Sequence, residues 1–501
     1  MAVQIAVHGH FYQPPRENPW TKRIDPQPSA APFHDWNERV HAEAYRPNAF
    51  ARIPSSDGQI AVNNFERMSF NVGPTLLRWM EHADDETYRA ILDADGASRA
   101  RLGHGNAIAQ AFHHTILPLG SVRDARTQVR WGLADFRHRF GRDAAGMWLP
   151  ETAADDDTLA VLIEEGVQFT ILAPGQAGEW RAPGAEWISV NEEPIDPRVP
   201  YRYEHRDGSG RSLALFFYDG DIAHSIAFGD AVSSAERFVD LFEARVVDAG
   251  LVHAATDGET YGHHHVFTDL GLAYALFVEA EQRGIEVTNY AAFLEAHPPE
   301  RDVRLRPGAT SWSCAHGVER WRADCGCSTG GEEGWNQAWR GPLRSALEVV
   351  RSAVDEVFER VGARLFADPW AARDDYVHAV IGAATTDEVV ERNAGGPLDD
   401  DARATAETLL ELQESSMSMF TSCGWFFNDV GGIETIQVLR YAARTLELLE
   451  SLGQPVPTDA FRLSLEQAES NDTRLGSGLD ILRAARRNAE PGSHPRKAAS
   501  R

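Results

Sequence analysis

Through its first 300 residues the chain alternates between two apolar patterns. Short, almost wholly apolar runs are followed by longer stretches in which apolar residues recur at helical spacing. VQIAVHGHFY, residues 3–12, predicts a first core strand that ends in His8, His10 and Gln13. The prolines of PP and PRENPW then force a loop, and 21–58 reads as an inserted loop region with a short helix. QIAVNNFERMSFNVG, 59–73, predicts a second strand carrying Asn63, Asn64 and Glu66, with a helical stretch over 74–101. GHGNAIAQAFHHTILPLGS, 103–121, opens on glycine, is rich in amide and imidazole groups, and closes on Pro118, as suits a strand end with a binding loop. The next residues, VRDARTQVRWGLADFRHRFG, return to helical spacing and lead into GMWLPET, 146–152.

The alternation continues with a helix over 156–165, a strand VQFTILAP over 167–174, and LALFFYDG over 213–220, which ends at Asp219. AERFVDLFEARVVDAG is amphipathic. LVHAATDGETYGHHH, 251–265, is another apolar approach ending in acids and histidines, and a helix over 270–283 with the short strand IEVTNY completes the series. Strands regularly separated by helices imply a parallel sheet, and acids and histidines gathered at one strand end imply a shared mouth. The expected fold is α/β: an incomplete parallel (β/α)7 barrel over 1–300. An aromatic loop and an α-helical bundle over 301–485 are expected to complete the cleft, with helices near 342–365, 370–384, 401–419, 432–452 and 458–468. The last residues, 486–501, read as a disordered tail.

Composition narrows the partners. A formal charge of −27 argues against nucleic acid or an anionic membrane as the main partner, whereas a neutral sugar polymer is not repelled. Lys22 and Lys497 are the only lysines, so nearly all positive charge is arginine. No apolar run is long enough to span a bilayer, and MAVQIAVHGH lacks the features of a secretory signal, so a cytoplasmic location is expected. Four cysteines do not make a disulfide framework.

Glu151 stands where chemistry is expected. Pro150 cannot donate a ladder hydrogen bond, so it ends the strand and aims Glu151 from the strand's C-terminal edge, where barrel enzymes keep their catalytic groups. The competing reading makes Glu151 an acid at the start of the following helix. Asp257 and Glu259 in TDGETYG supply the second carboxyl group at another strand end, with Gly258 letting the backbone turn. Two carboxyls facing one mouth are what glycoside hydrolysis requires. Trp148, Trp312, Trp321, Trp335, Trp339 and Trp425 are candidate platforms for sugar rings, or core residues.

Five ordered segments resemble the signature regions of glycoside hydrolase family 57: HGHFYQPP (8–15), GHGNAIAQAFHHTILPL (103–119), GMWLPE (146–151), ATDGETYG (255–262), and TSWSCAHGVERW through WNQAW (310–339). With TSCGWFFND, 421–429, the resemblance spans nearly the whole chain. It implies a retaining α-glucan enzyme, hydrolysing α-1,4 bonds or transferring the cut segment, with Glu151 as nucleophile and Asp257 as general acid/base. It also implies sugar contacts from His10, the His113–His114 pair and Trp148, with Trp321 and the Trp335–Trp339 stretch on the acceptor side; His8, Gln13, Asp219 and Trp425 are further candidate sugar contacts from their own positions. No cofactor is expected.

The segments depart from the family pattern in two places. Tyr12 interrupts the first motif, and the fifth carries Cys314, His316, Cys325 and Cys327. These four side chains are enough for a closed tetrahedral zinc site, but they lack paired CxxC spacing. The sequence reading therefore favours reduced thiols packing a loop, with no metal. Two other function classes remain open at this point. One is a metal-dependent carbohydrate deacetylase using His8, His10, Asp257 and the following histidines; the other is a glucan-binding protein without turnover.

Overall fold

Seven of the apolar runs become strands arranged around a common axis in the computed structural model, which describes residues 3–56, 58–245 and 250–489. They are β1 (Val3–Phe11), β2 (Ser69–Val72), β3 (Ala109–Gln110), β4 (Met147–Trp148), β5 (Phe169–Leu172), β6 (Ser212–Phe217) and β7 (Leu251–Asp257). β1 is central. One edge pairs in parallel with β7 from Gln4–Leu251 to His10–Asp257, and the other pairs in parallel with β2 from His8–Ser69 to Phe11–Val72. That register sets His10 between Asp257 and Asn71.

The rest of the ring is stitched more sparsely. Single parallel bridges, Phe70–Ala107 and Gly146–Phe169, join β2 to β3 and β4 to β5, while β3 pairs with β4 and β5 with β6. Between β6 and β7 the Asp219 N–H donates to the His253 carbonyl at 2.9 Å. Lower down, the edge of β6 is taken instead by Tyr201–Glu204, an antiparallel strand that leads into a side sheet with Arg301–Leu305 and Ala177–Arg181. The barrel is therefore incomplete in its ladder, and its strands are parallel and helix-separated.

The intervening helices begin and end where local chemistry dictates. α1 (Asp85–Leu102) starts at Asp84, whose carboxylate accepts from Thr87 N, and stops at Gly103, φ 79°. α2 (Val122–Phe140) is capped by Ser121, α3 (Asp156–Glu164) by Asp155 and α4 (Ala235–Glu243) by Ser234. Gly258 has a different task from the one read in the sequence. A Cβ there would lie 2.4 Å from the Phe11 ring, so the glycine admits close packing of β1 against the end of β7.

The predicted strand over 59–73 divides in two. Gly58–Val62 forms an exposed antiparallel hairpin with Ala51–Ser55, and the barrel strand starts only at Ser69. The reason is burial: all four residues of β2 are buried, whereas Gly58–Ala61 face solvent and Asn63 caps a short turn.

Clustering of contacts gives two compact units: 1–13, 26–112 and 117–313 form the first, and 14–25, 113–116 and 314–501 the second. By this clustering the units divide at 313/314, and two short excursions belong to the second unit. That unit is built on α5 (Arg340–Gly362), α6 (Asp400–Ser418), α7 (Ile433–Ser451), α8 (Thr458–Glu466) and α9 (Gly478–Ala489). The predicted 370–384 helix is two short ones, and Thr386–Asn393 is an additional helix opened by a Thr385–Glu388 capping box. Residues 14–25 are tied to α7 by Arg16–Glu434 and by Gln437 donating to the Glu17 carbonyl. Of the predicted tail, 486–489 finish α9, and the remainder lies outside the described residues. Among the described residues no helix is long and apolar enough to cross a membrane.

Candidate active site

Glu151 follows β4 in a tight turn, Pro150–Thr152, and has φ 58° and ψ 21°. Thr152 is also left-handed, φ 50°. Two successive side-chain-bearing residues in this region cost on the order of 1–3 kcal/mol each, which the surroundings must hold in place. They do so through Trp312 N–H donating to the Glu151 carbonyl (3.1 Å) and through Gln176, which accepts from Thr152 Oγ1 and donates to its carbonyl, both at 2.8 Å. The helix-acid reading of Glu151 fails, because Asp155 caps α3. Glu151 Oε2 instead accepts from Trp312 Nε1 at 3.0 Å and Ser313 Oγ at 2.6 Å.

Asp257 ends β7. Its side chain reaches solvent, yet protein packed around it, followed by the charges of Glu259 and Glu151, holds its carboxyl well above the usual carboxylate range. The repulsion by two like charges acts whatever the degree of burial. Glu259 is buried, accepts from Tyr45 Oη (2.6 Å) and the Tyr12 N–H (3.1 Å), and is pushed by burial to about 7. Gln13 Nε2 donates to the same Tyr45 hydroxyl at 3.2 Å. Burial and the Asp257 charge raise the Tyr218 phenol, which therefore stays protonated.

Below these carboxyls lies a stack of rings. Trp148 is fully buried, with His8 at 4.8 Å and His10 at 5.1 Å, both nearly parallel to it. Trp312 meets Trp148 edge-on at 5.1 Å. Burial lowers both imidazoles to about 3, so they are neutral above the acid range. Asn71 fixes their tautomers: its Nδ2–H donates to His10 Nδ1 (2.9 Å), and its Oδ1 accepts from His8 Nε2 (3.0 Å). His10 accordingly carries its proton on Nε2. The Asn71 amide is itself oriented by donation to Gln110 Oε1 at 2.7 Å.

Asn71, Gln110 and Ser313 were not singled out from the sequence. The signal for Asn71 was its position in SFNV, where a polar residue interrupts a buried strand next to a histidine-bearing one. Replacing Asn71 with leucine leaves two buried imidazoles without their amide partner, each costing about 1–3 kcal/mol. The expected result is a turnover number lowered about a hundredfold with KM little changed. Nitrogen NMR of labelled histidine should show His10 losing its single tautomer, which a merely structural role for Asn71 would not require.

Asp219 accepts from Asp221 N and Ile222 N at 3.0 Å, capping the helix Gly220–Phe228, and pairs with Arg245 at 3.3 Å. In the second unit His113 is buried, and His114, φ 55°, bonds Ser422 Oγ through Nδ1 at 2.6 Å. Trp321, Trp339 and Trp425 are buried; Trp335 is half-buried and borders a cavity of about 450 Å³ with Asn336, Gln467 and Asn471. The deacetylase reading requires His8, His10 and Asp257 to share a metal. Among the described residues they do not form a converging ligand group, and the imidazoles are engaged with Asn71 and Ser69.

The model of glycosyl hydrolase family 57 matches residues 38–306, and that of a domain of unknown function, DUF3536, matches 335–490. No curated protein matches the chain. The fold is similar to an exo-type maltose-forming amylase from Pyrococcus sp. ST04, with TM-score 0.66 and 16% identity over 93% of this chain and 83% of that one. It is also similar to a branching enzyme from Pyrococcus horikoshii (TM-score 0.57, 14% identity, 93% and 94% covered). A third similar fold is the 4-alpha-glucanotransferase from Thermococcus litoralis (TM-score 0.53, 16% identity, 90% and 60% covered). With the match over more than half its length, and with carboxyls at the ends of β4 and β7, the chain belongs to glycosyl hydrolase family 57 and is a glycoside hydrolase-type enzyme.

Proposed function

We propose that this protein is a retaining enzyme of α-glucans, hydrolysing α-1,4 bonds or transferring the cleaved segment to another sugar. Glu151 attacks the anomeric carbon while Asp257 donates its proton to the departing glycosidic oxygen, leaving a glycosyl ester on Glu151. Asp257, now a carboxylate, removes a proton from water or from an acceptor hydroxyl, whose oxygen displaces Glu151 and restores both groups. The observation that carries this assignment is the asymmetry of the pair. Glu151 is held by two donors on one oxygen, whereas burial and then the charges of Glu259 and Glu151 raise the Asp257 carboxyl, which favours its acid form. The neutral His10, with its proton on Nε2, suits a donor to a sugar hydroxyl. The named activities of the similar amylase, branching enzyme and glucanotransferase favour an α-glucan substrate. The acidic charge favours a neutral glycan over nucleic acid, and four cysteines without a disulfide between them suit the cytoplasm.

Digestion of maltoheptaose and amylose, following reducing ends and chain lengths together, tests the proposal. New reducing ends first released as the α-anomer support hydrolysis with retention, and redistributed lengths at constant reducing ends support transfer. No change in either glucan overturns the substrate assignment, and β-anomer release overturns retention.

A further inference from the structure

The segment between 314 and 339 is long and almost without regular structure, its one helical turn being Glu319–Trp321. Such a loop needs something to hold it. Its four ligand-type side chains converge: the ligand atoms of Cys314, His316, Cys325 and Cys327 all lie within 4.8 Å of one another. The Cys314 sulfur is 3.9 Å from that of Cys325 and 3.8 Å from that of Cys327, and Cys327 Sγ is 3.5 Å from His316 Nδ1. These separations are too long for a disulfide, in which the sulfurs are about 2.05 Å apart. They fit the edges of a tetrahedron around zinc, about 3.8 Å between sulfurs and about 3.6 Å from sulfur to nitrogen for the usual zinc–ligand bond lengths. A polynuclear iron–sulfur cluster would hold its ligands farther apart, on different irons.

Two further observations point the same way. Backbone N–H groups of His316 and Arg320 donate to Cys314, and that of Ala315 donates to Cys327, the kind of outer hydrogen bond that orients metal-bound sulfur. Gly317, φ 84°, and Gly326, φ 78°, turn the chain beside His316 and between Cys325 and Cys327. Secondly, Arg320 and Arg340 are both buried, and among the described residues neither has a carboxylate partner. Arg320 Nε and Nη1 and Arg340 Nε lack hydrogen-bond partners, while Arg340 Nη1 donates to the Cys327 carbonyl at 2.9 Å. Arg340 Nη2 donates to the Phe426 and Phe427 carbonyls, but among the described residues no carboxylate balances its charge; a buried cation without a counter-charge is costly, and a zinc ion with three thiolates and one neutral imidazole carries one net negative charge beside it.

We propose that Cys314, His316, Cys325 and Cys327 bind one zinc ion in a closed structural site that pins this loop and offsets the charge of the neighbouring Arg340. The paired CxxC spacing sought in the sequence is absent because C-A-H and C-G-C each supply two ligands across a single intervening residue, with the chain between them folding the pairs together.

The test uses the full chain, expressed with zinc present and dialysed exhaustively. The expected result is about one zinc per chain by elemental analysis. Exchange with cobalt alone should give the intense visible bands of tetrahedral cobalt with thiolate charge transfer. Cys325→Ser should lower retained zinc about tenfold or more, whereas His316→Cys, which keeps four ligands, should retain it and strengthen the charge-transfer band. Zinc-free protein, an octahedral cobalt spectrum, iron–sulfide absorption, or unchanged zinc content in Cys325→Ser would each overturn the site. Because metal content and cobalt spectrum are independent of turnover, the result stands whatever the glucan assay gives.

Discussion

Glu151→Gln is expected to lower turnover of a maltodextrin by on the order of 10³-fold or more, because the amide keeps the shape of the side chain but is a poor nucleophile. The fold should survive. The substituted amide retains an acceptor oxygen for Trp312 Nε1 and Ser313 Oγ, and the left-handed backbone is held through main-chain bonds and Gln176 that the substitution does not touch. It also removes one of the two charges that face Asp257, so the thermal midpoint at neutral pH should stay level or rise. Circular dichroism melting beside the digest separates the outcomes: lost turnover with a retained midpoint supports the nucleophile, and retained turnover removes Glu151 from that role. In the truncated variant Glu151→Ala, restoration of cleavage by azide, with formation of a glycosyl azide of inverted configuration, would mark the vacated nucleophile directly.

Asp257→Asn carries the second large effect. As the acid of the first step, Asp257 must be protonated, so activity falls as pH rises through its raised pKa, giving the alkaline limb of the profile. An amide in its place cannot act as a general acid, so natural glucans should be cleaved about 10²–10⁴-fold more slowly. Substrates with an activated leaving group should form the glycosyl-enzyme nearly as fast as with the wild type, and the alkaline limb should vanish. The stability effect has a definite sign. A carboxyl whose pKa is raised on folding contributes stability at pH below its unfolded value, near 3.9, which is lost as pH climbs through the folded value. Asp257→Asn should therefore stabilise the protein at neutral pH and not at acid pH. A variant that lowers activity equally for good and poor leaving groups, with the alkaline limb intact, would assign the acid to another residue. Glu259, held at about 7 by burial, is the group to examine next.

The sequence by itself determined what kind of scaffold this is and marked the carboxylates proposed here to carry the chemistry. Alternating buried runs and amphipathic helices are a local property, and parallel strands with helical crossovers follow from it. GMWLPE and ATDGETYG stand out because each ends an apolar run in a carboxylate; for Glu151 it was the structure that removed the helix-start alternative, since Asp155 caps that helix. What the pattern could not contain is the partner across the sheet. Asn71 becomes a positioning residue only because the β1–β2 register sets it against His10, and register is a long-range property that a one-residue slip would reverse. Ser313 and Trp312 matter because the chain returns to Glu151 some 160 residues later in sequence. Burial decided the tryptophans: Trp148 became the floor under two imidazoles, and Trp321, Trp339 and Trp425 became core, because an indole buries enough area to be drawn inward wherever packing admits it. The four metal-type ligands are the sharpest case. Spacing along the chain argued against a site, and only folding of the loop brought three sulfurs and a nitrogen to the separations that a tetrahedral ion requires.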